Sequence, residues 1–330
     1  MAKPDSQIIT PFRWVPGQGP DLKALAHLKS NFDRPTRAMG EAWFLGPERD
    51  VYDWLLEKDL AYVSYDEIER VLTEIAGGLK NFGHADAWAD WYGYLLPIWI
   101  ERAFDNELEY VVEYLVTAFM AVVPDHDVSW GYRSFRSDAL LTLGKAIMSP
   151  KLWPEGPDRS VNCLHLRNKL PTGYPIWGDA SGDFSASMFF CLKYLPSSHV
   201  SEWTKSVFAI SCPRWRAQVL VWLCGVKDLL DGKIKHPSDW PEKDRFRFSW
   251  AWSHLVGATN LAYEESTGQA DREIEFLPKT NREIFNETVS KLLRERLLSE
   301  WLLSLMSYEY LFDQVTSTAV PERLRQQYRF

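Results

Sequence analysis

Apolar residues recur at helical spacing along most of the chain. In SYDEIERVLTEIAGGLKNFG, Ile68, Val71, Leu72, Ile75 and Leu79 share one side of a helix turning about 100° per residue. Ser64 and Glu67 have the spacing of a capping box, and glycine closes the segment. HADAWADWYGYLLPIWIERAF places Trp88, Trp91, Tyr92, Leu95 and Trp99 on one stripe, with Asp86, Asp90, Pro97 and Glu101 on the other side. The Pro97 ring would crowd the carbonyl of Gly93, which predicts a kink or break there. NELEYVVEYLVTAFMAVVP repeats the design: Leu108, Val111, Val112, Leu115, Phe119 and Val122 line one stripe, Glu109 and Glu113 lie away from it, and Pro124 ends it. Short connections between these three make antiparallel packing the expectation.

The same pattern predicts helices over SFRSDALLTLGKAIMS, FSASMFFCLKYL, SHVSEWTKSVFAIS, PRWRAQVLVWLCGVKDLL and EKDRFRFSWAWSHLVG, and from Asn281 to about Asp313. Period-2 alternation is confined to pieces such as DRFRFSWAW, which lacks a hairpin partner, so the expected class is all-α. Successive hairpins predict an irregular HEAT-like or armadillo-like solenoid, although no consensus repeats in the letters. Two stretches break the rhythm. Residues 150–183 are rich in Pro and Gly and predict a long loop, and GATNLAYEESTGQADREIEFLPKTN is acidic and polar. The chain is expected to form a single helical domain over 1–330, with a possible subdivision into 1–149 and 184–330 at the loop.

Composition narrows the function. With 330 residues, 46% hydrophobic and 25% charged, the chain can bury a large core without disulfides or metals. Its 16 Trp imply thick layers between elements, a ligand cavity or broad binding surfaces. A net charge of −8 repels phosphate backbones and disfavours nucleic acid as a main ligand. Cys163, Cys191, Cys212 and Cys224 form no C-x-x-C, and MAKPDSQIITPFRW lacks the layout of a secretion signal, so free thiols in the cytoplasm are expected. LLRERLLSEWLLSLMSYEYLF is interrupted by charges at Arg294, Glu295, Arg296, Glu300 and Glu309, which argues against a membrane span.

Candidate chemistry is sparse. His84 shares the tryptophan side of its helix while Asp86 and Asp90 face the other way, so they do not converge on a metal. Asp125, His126 and Asp127 contain the His-Asp dipeptide of HD-type metal phosphohydrolases, but Asp beside Pro124 is also a routine helix cap. Cys163 and His165 have no second pair at zinc spacing, and GDASGD around Ser181 lacks the spacing and strand of a nucleophile elbow. In length, acidity and aromatic content the chain resembles class I terpene cyclases, whose magnesium triad occupies i, i+4 and i+8. Here NETVSKLLRE supplies Asn286 and Ser290, but the next position is Arg294 and the acid comes one residue late, at Glu295. No catalytic residue, cofactor or metal is therefore assigned, and a helical metal-dependent enzyme is kept as the alternative.

The set Asp86, Asp90, Glu101, Glu109 and Glu113 would decorate the outer faces of two neighbouring helices, either as a solubilising face or to steer a basic protein. WYGYLLPIWIERAF followed by EYLVTAF resembles bacterial helical proteins that include immunity proteins of secreted polymorphic toxins. That resemblance implies a cytoplasmic antitoxin covering a toxin's active site through aromatic anchors. The expected function is thus protein binding. The expected contacts are Trp153, Arg167, Tyr174 and Trp177 in the long loop, with Glu109 and Glu113 on the helical surface. Each loop aromatic could instead pin the loop to its own core.

Overall fold

A computed structural model describes residues 10–39, 52–81, 85–105, 111–125, 130–150, 153, 168–169, 175–176, 179–239, 250, 256 and 275–330. The fold is all-α. In chain order the helices are α1 (Leu22–Asn31), α2 (Trp54–Glu57), α3 (Tyr65–Asn81), α4 (Ala85–Phe104), α5 (Val112–Val122), α6 (Phe135–Leu141), α7 (Asp179–Tyr194), α8 (Ser197–Ala209), α9 (Pro213–Gly225), α10 (Lys227–Leu230), α11 (Lys279–Leu292), α12 (Glu295–Leu305), α13 (Glu309–Ser317) and α14 (Val320–Tyr328). Among the described residues the β structure is an antiparallel ladder of two residues each, Asn168–Lys169 with Pro175–Ile176. Among the described residues no helix is long and apolar enough to cross a membrane.

The capping box at the start of α3 is formed as expected. Glu67 accepts from the Ser64 N–H at 2.8 Å, and the Glu67 N–H donates to Ser64 Oγ at 3.4 Å. Trp88, Trp91, Tyr92, Leu95 and Trp99 of α4 are all buried, as their stripe predicts. Pro97, however, does not break α4, which runs on to Phe104. Gly93 serves another purpose: a Cβ there would meet the Phe32 ring at 2.4 Å, so its missing side chain lets the end of α1 approach α4.

The amphipathic expectation fails for α5, whose eleven residues are all buried. It packs on α3, α4 and α7, and α7 is likewise enclosed from Gly182 onward. Helices covered on every side carry no polar stripe, which is why periodicity alone misplaced their outer faces. The segment SFRSDALLTLGKAIMS is not one helix. Thr142, at φ −109° and ψ −81°, separates α6 from a 3₁₀ run at Leu143–Met148. The stretch from Asn281 divides into α11, α12 and α13, and the tail of the expected loop 150–183 is already helical from Asp179. EKDRFRFSWAWSHLVG and the acidic stretch after it lie almost wholly outside the described residues.

Hydrogen bonds tie the two sides of 150–183 together. The Tyr194 hydroxyl donates to the Val123 carbonyl, and Trp250 Nε1 donates to Thr117 Oγ1 at 2.8 Å. Cys191 and Cys224 are buried thiols outside any disulfide.

Candidate interaction surface

Where α5 meets α7, two carboxylates lie inside the protein. Asp183 Oδ1 accepts the Glu113 N–H at 2.8 Å and so satisfies a donor in the first turn of α5. In return Glu113 Oε2 lies 2.1 Å from where a Cβ on Gly182 would stand, against the first turn of α7. Each carboxylate thus sits near the positive end of the other's helix. Glu113 is only 4% exposed, which corrects its expected place on an outer face: α7 covers the side that the sequence pattern leaves to solvent.

The rest of the expected acidic face is divided. Asp86 and Asp90 are exposed on α4, and partial burial, then the neighbouring Asp86 charge, holds the Asp90 carboxyl above its ordinary range. Glu101 is ion-paired with Lys29 of α1. Glu109 lies outside the described residues, as do Arg167, Tyr174, Trp177, His126, Asp127, Cys163 and His165. Trp153 is half-buried, donates Nε1–H to the Ile147 carbonyl at 3.0 Å and packs its ring 5.4 Å from that of Trp215. It pins its segment to the chain's own core.

The enzyme alternative loses its magnesium triad to secondary structure. Asn286 donates its amide nitrogen to the Leu230 carbonyl at 2.8 Å, and α11 ends at Leu292, leaving Arg294 as the residue before α12, so the third position of the i, i+4, i+8 set is not on the helix that carries Asn286 and Ser290. Among the described residues no three His, Cys, Asp or Glu side chains converge where they could hold a metal ion. A cleft bounded by Leu229, Gly232, Glu275, Leu277 and Arg282 encloses about 170 Å³ with its open mouth, well short of a typical substrate pocket.

Two polar features had no signal in the sequence, because their members are distant along the chain. Asp138 Oδ2 lies 2.6 Å from His27 Nδ1 and accepts from the Tyr132 hydroxyl at 2.6 Å, so a mostly buried carboxylate orients a half-exposed imidazole. Lys193, 4% exposed, donates to the Phe276 carbonyl at 2.8 Å beneath the Phe276 ring, and burial pushes its ammonium down to about 8.

Among the described residues, helix α12 presents the clearest outward apolar ridge. Leu298, Trp301 and Leu305 are fully buried on its inner side, while Leu303 is 65% and Met306, just past its last turn, 58% exposed. The Glu300 side chain, one turn before Leu303, is 60% exposed and lies 3.9 Å from the mostly buried Arg216 guanidinium. No protein-family model, curated protein or solved structure matches this chain.

Proposed function

We propose that the chain is a cytoplasmic protein-binding module of irregular stacked helical hairpins, and that its partner is a basic protein seated on the Glu300–Leu303–Met306 ridge. The observation that carries this reading is the ridge itself. Single exposed apolar residues are ordinary, but Leu303 and Met306 stand side by side with an acidic neighbour. The net charge of −8 supplies the attraction for a basic rim, and the two apolar side chains supply the dry centre. An immunity protein that covers a toxin domain is the particular form of this function that the resemblance of residues 91–119 implies. The partner then comes from a toxin encoded beside it.

The test is co-purification of the chain with its encoded basic neighbour. A stoichiometric complex, weakened at least tenfold by Leu303→Glu or Met306→Glu in chains of unchanged melting temperature, supports the reading. A complex indifferent to both substitutions, or metal-dependent turnover abolished by Asp127→Ala, overturns it.

A further inference from the structure

Residues 12–15 run as an extended strap across α8, and their burial alternates as a strand's does. Phe12 and Trp14 are 2% exposed, whereas Arg13 and Val15 face solvent. One stripe of α8, at spacings of three and four residues, reads the strap in order. His199 Nδ1 accepts the Phe12 N–H at 3.1 Å, Glu202 Oε2 pairs with Arg13 at 2.9 Å, and Ser206 Oγ accepts the Trp14 N–H at 2.9 Å. A backbone nitrogen only donates, so His199 carries its lone pair on Nδ1. The Trp14 indole enters a slot edge-on to Trp203 and Trp215, at 5.4 and 5.5 Å, and donates to the Gly144 carbonyl at 2.7 Å.

This is how a groove holds an extended peptide: side-chain acceptors take alternate main-chain N–H groups, one carboxylate takes a cation, and an aromatic slot takes the anchor. The strap leaves the groove through a turn closed by the Gln18 N–H on the Val15 carbonyl at 3.0 Å, with Gly17 at φ +78°.

We propose that this groove recognises extended segments of the pattern aromatic, cationic, Trp on a partner protein, and that Phe12–Trp14 is its resident occupant in cis. The site uses α8, α9 and the Gly144 carbonyl rather than the α12 ridge. It rests on the protein-binding reading only for the existence of a partner.

The probe is a labelled peptide of residues 10–18, titrated into the full-length chain carrying Trp14→Ala, which empties the slot. Expected is saturable binding at least tenfold tighter than to the native chain, whose strap competes. Trp14→Ala in the peptide, or Glu202→Lys in the chain, weakens it by a similar factor. If Trp14→Ala prevents folding, Arg13→Glu loosens the strap at the surface, and its chain is expected to take up the peptide more tightly than the native one. A concentration-dependent native dimer that Trp14→Ala dissolves would make a second copy of the chain the occupant and overturn the assignment to a partner protein. The proposal fails if the folded variant does not bind, or binds the Trp14→Ala peptide equally well. Neither result touches the α12 ridge, so the two readings fall separately.

Discussion

Two titrating residues show opposite uses of charge. Glu67 is held down to about 2, first by the Lys58 ammonium and then by the Ser64 N–H it accepts. Its folded value lies below the unfolded one of about 4.3, so its contribution is complete above about pH 5 and fades as acid takes the pH toward 2. Glu67→Gln, whose amide oxygen can still accept the Ser64 N–H, is expected to lower stability by about 0.5–1 kcal/mol at neutral pH through loss of the carboxylate charge beside Lys58 and the helix N-terminus, a pair that is partly exposed and screened. Urea midpoints of both chains should converge on acidification, and a gap undiminished at about pH 2 contradicts the assignment. Lys193 works the other way. Its folded value of about 8 lies below that of an unfolded lysine near 10.4, so between the two the unfolded chain holds more protons and stability rises with pH. Relative to Lys193→Met, which leaves every tyrosine in place, the native chain should gain stability from pH 7.5 to 10. A flat or falling difference would mean the ammonium is not buried as described.

Among elements, the joint between α1 and α4 is sharply specified. Alanine is the better helix former by about 1 kcal/mol, yet in Gly93→Ala the new methyl meets a Phe32 ring already held against Trp130 at 5.4 Å and Phe135 at 5.7 Å. Overpacking is expected to win, with a net loss of about 1–3 kcal/mol, and Phe32→Leu should recover part of it in the double variant. Additive losses in that thermodynamic cycle would mean the two residues do not touch. The same joint marks what could be read from the letters. The α4 stripe and the Ser64–Glu67 cap rest on neighbours within a few residues, so local spacing reveals them. That Gly93 accommodates Phe32, or that Glu113 is roofed by Gly182 and Asp183, depends on chain contacts some sixty to seventy residues apart, which periodicity does not encode. α5 misleads for the same reason, because a wholly enclosed helix keeps no polar side to orient it. Of the expected contacts, half-buried Trp153 bonds to the Ile147 carbonyl of its own core, the alternative that the sequence left open for the loop aromatics. The His199, Glu202 and Ser206 stripe was visible only once Phe12–Trp14 lay across it.

At the scale of the whole molecule, α5 decides whether the chain can be divided at residues 150–183. All of its residues are buried, and part of that cover is α7, from beyond the loop. The Glu113–Asp183, Tyr194–Val123 and Trp250–Thr117 bonds cross the same boundary, as does the Trp14 slot built from Gly144, Trp203 and Trp215. Splitting the chain between residues 158 and 159 would leave the first piece with an apolar face on α5 and the second with one on α7. Exposed patches of that kind drive aggregation or association rather than stable separate domains. Expressed alone, each fragment should therefore be insoluble or lack a cooperative thermal transition. Coexpressed, the pair should co-purify and restore the near-ultraviolet dichroism of the intact chain, because the packed tryptophans regain fixed surroundings. If fragment 1–158 alone melts cooperatively with a native-like spectrum, the molecule is two units. The α5–α7 seam would then be an interface between domains rather than the centre of one core.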